Sequence, residues 1–142
     1  MGECSFPLRK SRNANDGSLV NNNSQIVGSY SDNSGNIHGY FFSGGTYTAI
    51  NYPGASLTIA EGINNHSQIV GTYADSTGQN DGSFLYDPNG GTYSTIAYPL
   101  AIRTVALGIN DQGQIVGFYN DGGDHGFLYD PNGGTYTRLD AP

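Results

Sequence analysis

Gln25-Ile26-Val27-Gly28, Gln68-Ile69-Val70-Gly71 and Gln114-Ile115-Val116-Gly117 are one tetrapeptide written three times, at intervals of 43 and 46 residues. A second signature keeps step with it: Gly-Thr-Tyr stands at Gly45–Tyr47, Gly91–Tyr93 and Gly134–Tyr136. Self-similarity at this period marks a repeat architecture, in which each copy is one supersecondary unit.

Working outward, the second copy runs from Tyr52-Pro53-Gly54 through Leu57–Asn64, Gln68–Tyr73, Gly82–Tyr86 and Thr92–Ile96. The third runs from Tyr98-Pro99 through Thr104–Asn110, Gln114–Tyr119, Gly126–Tyr129 and Thr135–Leu139. The first begins at Phe6-Pro7 and is degraded early, with Ser18-Leu19-Val20-Asn21 where Glu61–Asn64 stands later. It recovers through Gln25–Tyr30, Gly39–Phe42 and Thr46–Ile50. Each copy therefore holds four short segments rich in Val, Ile, Tyr, Thr and Phe, bounded by Gly, Asn, Asp or Pro. That is the pattern of strands joined by turns. Connections such as Asn64–Ser67 and Asp87-Pro88-Asn89-Gly90-Gly91 supply residues that tolerate tight-turn backbone angles. No segment sustains an apolar 3.6-residue spacing, so helix is not expected.

The expected fold is all-β: three four-stranded antiparallel blades of a β-propeller. The apolar, glycine-containing first segment would be innermost, and the Thr/Tyr-alternating last segment outermost. Blade 1 would span about 6–52, blade 2 about 53–98 and blade 3 about 99–142, with 1–5 a flexible start to a single repeat domain at 6–142. Three blades fall short of the usual four to eight. A homodimer would complete the ring to six, since a heterologous contact removes the open ends. A fragment of a longer array is the other way to reach three. The rival fold is a β-trefoil, which explains three repeats without a partner.

Composition narrows the partners. The chain has 142 residues, 22 Gly, 11 Tyr, no Trp and a net charge of −7. Five basic residues are too few to track phosphates, which argues against nucleic acid. No apolar run is long enough to span a membrane. Cys4 stands alone, so no intrachain disulfide is possible. The stretch after Met1 lacks the order of a signal peptide, which leaves a cytoplasmic chain or a missing leader as the alternatives.

At these residues the chain resembles bacterial repeat proteins of the extracellular HAF type. Their pattern appears here as Gly108-Ile109-Asn110, Gly113–Gly117, Tyr119, His125-Gly126-Phe127 and Gly134–Thr137. The resemblance covers nearly the whole chain. It implies secretion or surface display and no settled biochemistry. The first copy departs from it before Asn21, and the second has Asp81-Gly82-Ser83-Phe84 in place of His-Gly-Phe.

Chemistry-bearing residues gather in the variable second connection of each copy. Asp32 and Asn36 precede His38; Asp75 and Asn80 precede Asp81; Asp121 and Asp124 precede His125. Oxygen ligands on Gly-containing loops suit calcium, although none matches an EF-hand. Capping of the turn by its own carboxylate is the plainer reading. The two histidines are expected to bond the turn backbone, with Asp81 in that role in the second copy. His66 is expected at the surface. Glu61 is the one acid in an inner segment, where the other copies offer Leu19 and Leu107. The repeated Asn21, Asn64 and Asn110 are expected to satisfy turn backbone groups, and the tyrosines to pack between blades with their hydroxyls at polar edges.

No nucleophile elbow, phosphate loop or metal-ligand cluster is present. The chain therefore reads as a non-enzymatic binding or display module, with a glycan or protein bound at the blade loops or the central channel. A purely structural unit and a hydrolase working in the channel are the alternatives. No cofactor is called for.

Overall fold

The computed structural model describes residues 19–142, which form twelve β-strands and no helix. The proposed start at 1–5, the Phe6-Pro7 link, Cys4 and Ser18 lie outside the described residues. In chain order the strands are β1 (Leu19–Val20), β2 (Ile26–Ser31), β3 (Ile37–Ser43), β4 (Thr46–Ile50), β5 (Leu57–Ile63) and β6 (Ile69–Ala74). There follow β7 (Asp81–Asp87), β8 (Thr92–Ile96), β9 (Arg103–Ile109), β10 (Ile115–Asn120), β11 (Asp124–Asp130) and β12 (Thr135–Leu139). Within each set of four, every strand pairs antiparallel with its neighbour in sequence. Three meander units result. A single parallel bridge, Ile37 with Leu57, joins the first two into one sheet, and β9–β12 form a second. The pairing closes neither a barrel nor a ring among the described residues, so the trefoil, which needs a barrel, is not the arrangement seen.

The core lies between units. Val27, Phe41 and Ile50 of the first meet Ala60, Ile69 and Phe84 of the second. Val70 and Ile96 of the second meet Ala106, Ile115, Tyr119 and Phe127 of the third. The outer strands β4 and β8 bury only their final isoleucines, Ile50 and Ile96. Each unit thus has apolar surface on both faces, and neighbouring units cover it.

The glycine of the recurring tetrapeptide is a steric requirement of this packing. In the ladder Gly71 faces Phe84. A Cβ there would strike the carbonyl oxygen of Ile59 and lie 2.7 Å from the Phe84 ring. Residue 71 must be small so that the ring can cross the sheet.

Register corrects two sequence correspondences. Leu19 pairs with Val27 as Gly62 pairs with Val70 and Gly108 with Val116, so Leu19 matches Gly62 and not Glu61. Glu61 and Leu107 are the residues skipped where the two ladders shift register, and a bulge of this kind re-aims a side chain. Likewise Tyr30 faces His38 and Tyr119 faces His125, while Tyr73 faces Gly82. Gly82, not Asp81, therefore holds the histidine position in the second unit. The Tyr73 phenol fills that space, its hydroxyl 2.9 Å and its ring 3.1 Å from a Cβ placed there.

Candidate functional site

The carboxylates of the second connections are turned into their own loops. Asp32 Oδ1 accepts the backbone N–H groups of Ser34 (2.8 Å) and Asn36 (3.0 Å). Its Oδ2 accepts Asn36 Nδ2 (3.1 Å) and His38 Nε2 (2.9 Å). The His38 bond and the Asn36 amide hold the Asp32 carboxyl down at about 2. Asp75 accepts the Thr77 hydroxyl and the Asn80 amide, which hold it far below the ordinary carboxylate range. Asp124 accepts Asn120 Nδ2 at 2.8 Å. These are capped turns, as aspartate in a tight loop favours.

The histidines bond side chains rather than the turn backbone expected of them. His38 lies between Asp32 and Asn51 Oδ1, the latter 2.6 Å from Nδ1. The Asp32 carboxylate raises the His38 pKa above its ordinary value. His125 lies between Asp121 (3.2 Å) and Asp140 (3.0 Å). His66 is exposed. Asp81 is drawn the other way, to Arg103 of the third unit at 3.2 Å. Among the described residues no group of three or more His, Cys, Asp or Glu is placed to hold a metal ion.

Two clefts lie beside these residues. A groove of about 310 Å³ is lined by Tyr52, Pro53, Gly54, Tyr73, Asp75 and Asn80. One wall is the stacked pair Tyr52–Tyr73, with ring centres 3.7 Å apart. Burial and the neighbouring Tyr52 push the Tyr73 phenol up to about 12, so it stays neutral. The second cleft, of about 350 Å³, runs from β5 to β9 and includes Glu61, Asp81, Arg103, Leu107 and Phe118. Burial raises the Glu61 carboxyl. The structure thus brings Asp75 and Asn80 to one groove and Glu61 and Asp81 to the other. Asp32, Asn36, His38, Asp121, Asp124 and His125 line neither.

The tyrosines expected between units have defined partners there, and the linker turns supply two of them. Tyr52 stacks on Tyr73 and Tyr98 on Tyr119, so each Tyr-Pro tyrosine rides on the second strand of the unit it introduces. The Tyr93 hydroxyl accepts the Asn51 N–H, and the Tyr136 hydroxyl accepts the Ala97 N–H, both at 3.1 Å. Ser83, fully buried, donates to the Thr104 carbonyl (2.9 Å) and accepts the Ala106 N–H (2.8 Å). The departure of the second unit from His-Gly-Phe at this residue was the only signal in the sequence.

No family model matches the chain, and no curated protein matches it.

Proposed function

We propose that each meander is a propeller-type blade and that the chain is a non-enzymatic binding or display module taking a glycan. The blade reading rests on four antiparallel strands in each period and on the packing of successive units through their faces. The likeness of Gly113–Gly117 and His125-Gly126-Phe127 to HAF-type repeats supports secretion or surface display as the setting.

The observation that carries the binding reading is the groove beside Tyr52 and Tyr73. It sets aromatic surface next to an ionised carboxylate and an amide, the combination that a sugar's apolar face and hydroxyls require. Asp75 is already held by Thr77 and Asn80, so it meets a ligand with little left to order. The test is a glycan array followed by titration calorimetry. Tyr52→Ala and Asn80→Ala should abolish binding, and Glu61→Gln should leave it intact. The absence of any glycan signal, or binding that survives both groove variants, overturns this reading.

A structural or assembly role is the second reading, favoured by the exposed Val116 and Leu139 on the third unit. A hydrolase would have Glu61 as its acid, since burial raises that carboxyl, the direction a general acid needs. Asp81, the other carboxylate of that cleft, is paired with Arg103. Substrate turnover lost in Glu61→Gln would replace the binding reading with this one.

A further inference from the structure

We propose that the outer face of the third unit docks the first unit of a second copy of this chain, head to tail. The two contacts inside the chain are the template. Val27 and Val70 are fully buried by the following unit, whereas their counterpart Val116 is 44% exposed. Ile50 and Ile96 are 0% and 2% exposed, whereas their counterpart Leu139 is 47% exposed. The opposite end shows the complementary exposed face. Ile63 and Ile109 pack against the clusters they share with the preceding unit, and their counterpart Val20 is 63% exposed.

A polar ladder gives the contact its direction. Asn21 Nδ2 donates to the Asn64 carbonyl (2.8 Å), and Asn64 Nδ2 donates to the Asn110 carbonyl (2.9 Å). Beside them the Asn22 N–H donates to Asn65 Oδ1 (2.7 Å) and the Asn65 N–H to Asp111 Oδ1 (2.8 Å). The next donors in this order are Asn110 Nδ2 and the Asp111 N–H. The head of a second copy offers the matching acceptors, the Asn21 carbonyl and Asn22 Oδ1. Asn64 is 3% exposed between its neighbours, while Asn110 is exposed at the end of the ladder. Donors at one end and acceptors at the other make the contact heterologous. Such a contact closes into a ring or runs on as a filament. Two chains would make six units, within the range of closed propellers.

The test is sedimentation of the full chain and of Val116→Asp and Val20→Asp, alone and mixed. Wild type should show at least twice the 15.0 kDa of one chain. A buried carboxylate in place of valine should weaken association by about a hundredfold or more, leaving each variant monomeric. The one-to-one mixture should form a dimer, because one variant keeps an intact head and the other an intact tail. Leu139→Asp, a second exposed tail position, should behave as Val116→Asp does, and circular dichroism checks the fold of each variant. A monomeric wild type, self-association of either variant alone, or a monomeric mixture overturns the proposal. Glycan binding has no bearing on these outcomes.

Discussion

Leu100→Gly should stabilise this protein, and the two linkers show why. Tyr52-Pro53-Gly54-Ala55 and Tyr98-Pro99-Leu100-Ala101 make the same turn, with the Ala55 N–H bonded to the Tyr52 carbonyl (3.0 Å) and the Ala101 N–H to the Tyr98 carbonyl (3.1 Å). Proline precedes a residue of positive φ in each: 80° at Gly54 and 64° at Leu100. A turn of this pattern calls for glycine at its third position. The left-handed backbone costs a residue with a side chain about 1–2 kcal/mol. Leu100 is 100% exposed, so truncation loses no packing. Glycine returns about 0.5–1 kcal/mol of that gain through the greater freedom of the unfolded chain. The net is about 0.5–1 kcal/mol, or a rise in Tm of about 2–4 °C. The reciprocal change Gly54→Leu should cost a similar amount, since a Cβ there meets nothing within 4 Å and the penalty is conformational alone. Urea unfolding reads both as shifts of midpoint at unchanged slope. A lower midpoint in Leu100→Gly, or none of the expected loss in Gly54→Leu, refutes the reasoning.

Ser83→Ala should lower stability by about 1–3 kcal/mol, because the Thr104 carbonyl and Ala106 N–H lose their partner in a buried contact between units; chemical denaturation checks it, and an unchanged midpoint would mean those groups find other partners. The Asp32–His38 pair should stabilise the first unit over a defined window. The contribution of His38, whose pKa is raised, is complete below about pH 6.5 and fades as pH climbs through the raised value. That of Asp32, whose pKa is lowered to about 2, is complete above the ordinary aspartate value of about 3.8 and fades as pH falls toward about 2. The pair is therefore strongest between about pH 4 and 6.5. An NMR titration should place the His38 midpoint above that of a free histidine and move it down in Asp32→Asn; no movement would show that Asp32 is not the cause.

The strand pattern was legible because turn residues and β-branched runs act locally. Asn64–Ser67 and Asp87–Gly91 separate segments whose residues already favour extended backbone, and β8 and β12 have the bounds read from composition alone. The role of Asn21, Asn64 and Asn110 within their own turns was legible for the same reason: each Oδ1 accepts N–H groups two and four residues on. The ladder formed by their amide groups was not, because its rungs join residues 43 and 46 apart. The histidines divide the same way: Asp32 and Asp121 lie six and four residues before them, whereas Asn51 and Asp140 lie 13 and 15 residues after, on the far side of a hairpin, and only the fold brings those in.

By itself the sequence determined three units, all β, with four strands apiece and turns at the observed places, since each follows from contacts within a few residues. Only the tertiary structure decided which carboxylates are held in their own loops, which bulges carry Glu61 and Leu107, and which faces stand open. A repeat writes the same valine three times, and nothing in the letters tells Val70 from Val116. One is covered by the following unit and the other is not, and that difference lies in what packs against them.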